Sequence, residues 1–126
     1  MNLDNIDKNI LNILQEDARI TNVQLASKVG ISPPAMLDRV KRLEKNGIIR
    51  NYAALLNPEK IGKNTFALIS VSLTIHRNTT IDDFTTAISK FDEVLECYHV
   101  TGESDFLLKI AVENIQEYEQ FILQKF

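Results

Sequence analysis

Sulfur chemistry is nearly missing from this chain, which has one cysteine, Cys97, in 126 residues. A single thiol excludes a framework of internal disulfides and suits a reducing cytoplasm. No apolar run approaches the ~18 residues that a membrane span needs, and the N-terminus has neither the basic start nor the apolar middle of a signal peptide. The two histidines, His76 and His99, lie at no metal-ligand spacing, so no metal is expected. Cys97 and His99 share a strand face, but no oxyanion donor or orienting third residue accompanies them, and both are read as packing residues. The chain also lacks a phosphate-cradling loop and a convincing pair of catalytic carboxylates, so neither an enzyme nor a cofactor is expected. What is present is a 44% hydrophobic composition, that of a folded globular protein, which with the single thiol and no membrane segment is expected to be cytoplasmic.

The net charge of −3 argues at first against a nucleic-acid partner, but it is unevenly spread. Residues 1–60 hold nine Lys and Arg against seven Asp and Glu, a net of +2, while residues 61–126 hold five against ten, a net of −5. The first half is therefore the one suited to a polyanion.

Within it, TNVQLASKVGISPPAMLDRVKRLEKNGIIR, Thr21 to Arg50, carries two helix starts separated by a glycine. Thr21 and Gln24 form a capping box, and Leu25, Ala26 and Val29 supply an apolar stripe. Gly30 suits the left-handed position that closes a helix; Ser32 caps the next one, with Pro33 at its first position. Two helices joined by a short glycine turn, the second preset at its N-terminus, are the geometry of a helix-turn-helix.

The second helix places Leu37, Val40 and Leu43 toward a core and Ala35, Asp38, Arg39 and Arg42 on the other side. Five cations (Arg39, Lys41, Arg42, Lys45 and Arg50) stand against one anion, Glu44, between Arg39 and Arg50. In a helix-turn-helix the start of the recognition helix meets base edges while outlying cations hold phosphates. Ala35, Asp38, Arg39 and Arg42 are accordingly expected to read bases in double-stranded DNA. Ser32 and Pro34 anchor the helix start, and Lys41, Lys45 and Arg50 contact phosphates. The alternative is an ordinary solvated helix face; the capping framework beside it favours DNA.

A preceding helix starts at Asp4, with Asp7 at its positive end and Ile6, Ile10, Ile13 and Leu14 at helical spacing. The three helices are expected to share a core of Ile6, Ile10, Leu14, Leu25, Val29, Leu37, Val40 and Ile48. Residues 1–50 then form the DNA-binding domain, and residues 51–64 a strand-like linker.

Residues 65–126 have a different texture. Thr65 to Ile75 alternates, with Ala67, Ile69, Val71, Leu73 and Ile75 on one face and Phe66, Leu68, Ser70, Ser72 and Thr74 on the other. Thr80 is expected to cap a helix bearing Ile81, Phe84, Ile88 and Phe91. Strands at Glu93–Thr101 and Phe106–Glu113 flank the loop GESD, and Asn114 and Glu117 cap a last helix with Tyr118, Phe121 and Ile122. Strand, helix, strand, strand, helix is the ferredoxin-like βαββα(β) pattern with its final strand absent, so the fold class is α+β. Helices cover only one face of such a sheet. Phe66, Leu68, Leu107 and Ala111 on the other call for a second copy, so a homodimer is expected.

Three segments carry a resemblance: LDNIDKNILNILQEDAR, LASKVGISPPAMLDRVKRLEKNGIIRNYAALLNP and ECYHVTGESDFLLKI. In their order and spacing the chain resembles the Lrp/AsnC (leucine-responsive, feast/famine) transcription regulators over nearly its whole length. The resemblance implies a winged-helix-like DNA-binding domain, a ferredoxin-like domain that dimerises and senses amino acids, and assembly of dimers into octamers or related rings. It also maps the family's effector region onto Val100, Thr101, Gly102, Glu103, Ser104 and Asp105. There Gly102 would let backbone approach a small ligand and Asp105 or Glu103 would accept from an ammonium group. In the plainer reading Gly102 only turns the hairpin and Asp105 caps free N–H groups. The function expected is a sequence-specific transcriptional regulator controlled by a small metabolite, an amino acid by the resemblance. Two alternatives are an architectural, chromatin-organising DNA binder without a ligand and a metabolite-binding interaction module.

Overall fold

The structure, a computed structural model, describes residues 1–73 and 78–125. The chain divides into two compact units, Met1–Leu55 and Leu56–Phe126, so the boundary falls inside the segment expected to be a linker.

In the first unit, α1 (Asn5–Glu16), α2 (Asn22–Val29) and α3 (Pro33–Lys45) each begin where local chemistry marks a start. Asp4 and Asp7 make a reciprocal capping box for α1, Thr21 and Gln24 make one for α2, and the Ser32 hydroxyl accepts from Ala35 N–H at the head of α3. Gly30 adopts φ +87°, and its N–H and that of Ile31 both donate to Ala26 O, which ends α2. The Asn22 side chain then donates to Pro33 O (2.8 Å), tying the start of α2 to the start of α3.

The core of this unit is Ile10, Leu25, Ala26, Met36 and Leu43, with Ile6, Leu14, Val29, Val40 and Ile49 packed around it. Two expected members are misplaced. Leu37 is 44% exposed while Met36 is fully buried, so the apolar stripe of α3 runs through 36, 40 and 43 rather than through 37. Ile48 is also exposed. After Gly47 (φ +74°) the chain turns back, with the Ile48 and Ile49 N–H groups both donating to Leu43 O, and this places Ile49 against the core.

In the second unit, residues 56–64 contain one 3₁₀ turn (Glu59–Ile61) and no strand, so the strand-like reading of residues 51–64 does not hold: an edge needs a partner, and none is supplied within the described residues. The remaining elements are β1 (Thr65–Val71), α4 (Asn78–Ile88), β2 (Val94–His99), β3 (Phe106–Val112) and α5 (Ile115–Lys125). The expected end of the first strand at Ile75, and His76, lie outside the described residues. Thr80 lies inside α4, which begins at Asn78, so it is not the cap. At α5, Asn114 Oδ1 accepts from Glu117 N–H (2.8 Å), but the Glu117 carboxylate reaches Glu113 N–H (2.9 Å) rather than Asn114.

The sheet is antiparallel in the order β1-β3-β2, as the ferredoxin-like pattern requires. Ala67, Ile69 and Val71 pair with Ile110, Leu108 and Phe106 and lie on the face where Ile110 and Val112 pack with Phe121 of α5. Phe106 also packs against Phe84 of α4. Phe66, Leu68 and Ser70 pair with Ala111, Lys109 and Leu107 on the opposite, open face. There Leu68 is 68% exposed and Phe66 47%, with the Lys109 ammonium 5.5 Å from the Phe66 ring.

Candidate nucleic-acid interface and effector loop

The α3 helix is anchored from beneath by Met36 and Leu43, which leaves its opposite side in water. Ser32, Pro34, Ala35, Asp38, Lys41, Arg42, Lys45 and Arg50 are all exposed. Asp38, Lys41, Arg42 and Lys45 line one shallow depression, three cations around a single carboxylate. Two exposed turns of helix with a basic margin can enter a groove and hold phosphates on its walls.

Arg39 is not part of this face. Its guanidinium turns toward the head of α1 and ion-pairs with Asp4 (2.8 Å) and Asp7 (3.0 Å). The expected placement beside Arg42 is therefore corrected: the pull of two carboxylates decides the side chain's direction, not its station on the helical wheel. The pairing also holds the Asp4 carboxyl below its ordinary range, through the Asp7 backbone N–H first and Arg39 second, and raises Arg39. Asp7, read only as a favourable charge at the helix start, is the one buried charged residue among the described ones. The sequence signals only the D-x-x-D capping box; the need for a cation arises from the burial of Asp7 in the fold.

The loop from Val100 to Asp105 joins β2 to β3. Val100 N–H donates to Asp105 O, Asp105 N–H to Val71 O, and Leu73 N–H to the Asp105 carboxylate (2.7 Å). The Ser72 hydroxyl donates to Glu103 O. Asp105 thus ties the loop to the end of β1, in keeping with the plainer reading of it, while Thr101, Gly102 and Glu103 face solvent. Gly102 sits at φ +123° with nothing within 4 Å of where a Cβ would lie, so its backbone conformation, not close packing within the chain, is what favours glycine there.

Cys97 is exposed rather than buried and lines a cleft between β2 and α4 with Thr85, Ile88, His99 and Phe106. The surrounding cleft pushes the Cys97 thiol up, away from thiolate reactivity, and His99 stacks on Phe106 at 5.0 Å. Both are edge-strand residues with one side against the cleft.

Comparison with known proteins bears on both units. Residues 3–50 match the family described as winged helix-turn-helix DNA-binding, and residues 66–126 match the Lrp/AsnC ligand binding domain. The leucine-responsive regulatory protein of Escherichia coli is 42% identical over 120 residues, which cover 95% of this chain and 73% of that protein. A transcriptional regulator of Neisseria meningitidis, solved as a complex with L-Met, superposes with a TM-score of 0.92 at 41% identity, covering 98% of this chain and 79% of that one. An AsnC family transcriptional regulator from Agrobacterium tumefaciens gives a TM-score of 0.93 at 34% identity, covering 98% and 80%.

Proposed function

We propose, from the premise that this chain belongs to the Lrp/AsnC family of DNA-binding transcriptional regulators, that it reads double-stranded DNA through the exposed side of α3 as a homodimer governed by an amino acid. The observation that carries the reading is the division of labour on α3: Met36 and Leu43 are fully buried while Ala35, Asp38, Lys41, Arg42 and Lys45 are in water. Ala35, Asp38 and Arg42 meet base edges. Arginine can give two hydrogen bonds to a guanine edge, and the small Ala35 lets the helix approach closely. Lys41, Lys45 and Arg50 hold phosphates, and Ser32 and Pro34 set the helix start against the backbone.

The dimer is supported by the open sheet face, where Phe66 and Leu68 are exposed beside a half-buried Leu107, while Ala111 is already buried. One small reading head per chain makes few phosphate contacts, so two are needed, on half-sites about 34–36 Å apart or a multiple of it. Further assembly of dimers toward octamers follows the family resemblance. The effector reading is supported by the ligand-binding family match and by the L-Met complex of the Neisseria protein. A small amino acid would lie against residues 100–105, with backbone N–H groups near Gly102 for its carboxylate. Glu103 is the exposed acceptor for its ammonium group, and Asp105 keeps the loop in shape. Bound there, the ligand biases how dimers are placed and so how two α3 helices span a site. The setting is the cytoplasm, where DNA and free amino acids meet.

The test has two arms. The chain should select a palindromic duplex from a random library with steeply salt-dependent affinity, and at least one of the twenty amino acids should raise its thermal midpoint and change that affinity. Salt-dependent binding without sequence preference and without any amino-acid shift points instead to an architectural protein. An amino-acid shift without DNA binding points to an interaction module.

A further inference from the structure

The hydrogen bonds of the Arg39 side chain converge on one of its atoms. Its Nη1 donates to Asp4 Oδ1 (3.0 Å), Asp4 Oδ2 (2.8 Å) and Asp7 Oδ1 (3.0 Å). The same two carboxylates cap α1, Asp4 accepting from Asp7 N–H (2.8 Å) and Asp7 accepting from Asp4 N–H (3.2 Å). The head of α1 and the middle of α3 are thereby closed into a three-residue ring across 32–35 residues of sequence. Asp7 is 3% exposed, and a carboxylate that buried requires a counter-charge, which Arg39 supplies.

We infer that Arg39 is a positioning residue for DNA recognition. It locks α3 against the head of α1 and acts on DNA only by fixing where Asp38, Lys41 and Arg42 stand. The inference rests on α3 being the reading helix. Arg39 lies between those residues in sequence, yet its side chain is 22% exposed and its guanidinium is engaged by Asp4 and Asp7. Convergence on a single nitrogen matters chemically. A lysine ammonium, with three donors on one atom, can make the same contacts, whereas the two-pronged hydrogen bonding of a guanine edge needs the arginine fork. Charge gives a second, opposite-signed signature. Removing a carboxylate makes the DNA-facing unit more positive, and by charge alone that strengthens DNA binding. Loosening α3 weakens it.

The experiment uses the full chain and a duplex that the wild type selects from a random library, with Kd measured against salt for Arg39→Lys, Arg39→Met and Asp4→Asn. Asparagine is as good a helix cap as aspartate, so Asp4→Asn removes the charge and leaves α1 capped. Expected are a loss of about tenfold for Arg39→Met, about threefold for Asp4→Asn and less than about twofold for Arg39→Lys, as befits residues coupled in one network. The salt slope and the base preference should stay as in the wild type, since no phosphate or base contact is removed. Far-UV circular dichroism at the assay temperature checks folding; if Arg39→Met unfolds, the other two variants decide. The inference is overturned if Arg39→Lys loses as much as Arg39→Met with relaxed preference at one base pair, or if Asp4→Asn binds more tightly. A wild type that selects no duplex overturns the DNA reading and this inference together. A wild type that binds while the variants behave otherwise than expected overturns the inference alone.

Discussion

The two units solve the problem of burying apolar surface differently. In Met1–Leu55 three short helices enclose Ile10, Leu25, Ala26, Met36 and Leu43 on all sides, and the exposed side of α3 is left to charge. In Leu56–Phe126 the sheet buries one face against α4 and α5, while Phe66, Leu68, Leu95 and Tyr98 remain exposed. The first unit is complete within one chain and turns its polar groups outward for use. The second leaves apolar side chains open on one sheet face, which in the proposed dimer a second copy covers. A recognition head needs only correct presentation, whereas a sensor that works through assembly needs a surface that is stable only when covered.

The most severe way to break this contrast is to charge the open face. Phe66→Asp combined with Leu68→Asp should convert a dimer to monomers, because each apolar side chain buried at an interface contributes about 1.5–3 kcal/mol and an unpaired buried charge opposes association further. Light scattering at micromolar concentration reads the result, and the first unit's thermal transition should not move. A wild type that is already monomeric there removes the contrast altogether.

Within the first unit, Met36→Ala and Leu37→Ala are neighbours with opposite expectations. Met36→Ala should cost about 2–5 kcal/mol through the cavity it leaves, and Leu37→Ala within about 0.5 kcal/mol of nothing, by denaturant unfolding. Equal costs would mean that the apolar stripe of α3 is misplaced. In the second unit Gly102→Val should cost about 1–3 kcal/mol, since valine is strained at φ +123° although space is free around it. It should also weaken any amino-acid binding detected by calorimetry.

The smallest effect is on pH. The folded Asp4 carboxyl sits below its ordinary 3.8. Its contribution to stability is therefore complete above that value and is lost as pH falls through the lowered folded value. The difference in thermal midpoint between wild type and Asp4→Asn should be constant near neutral pH and close only in that acidic window. A difference that closes above pH 5 would assign it to another group.

Much of this arrangement is legible in the sequence where chemistry is local. Thr21 with Gln24, Gly30, and Ser32 with Pro33 each state a helix end within four residues, and all three hold. The alternation of β1 and the order of the elements also hold, because a period of two or 3.6 needs no tertiary knowledge. What fails is what distance decides. Residues 36 and 37 both lie at helical spacing from Val40, and only the positions of α1 and α2 choose Met36 over Leu37. Arg39 looks like Arg42 until two carboxylates more than thirty residues away are brought beside it. Nothing local to Asp105 announces that its carboxylate accepts from Leu73 N–H, because that bond depends on where the end of β1 lies. Segment 51–64 reads as a strand from its residues, but a strand is defined by its partner.

The most direct test of the central claim compares the salt dependence of DNA binding for the wild type, Arg42→Ala and Lys45→Ala on the duplex the wild type selects. Arg42→Ala should lose about 1–3 kcal/mol on that duplex but much less on random DNA. Lys45→Ala should weaken both duplexes equally and lower the salt slope by about one. Unchanged affinity and slope in both variants, with the fold intact, would contradict that claim.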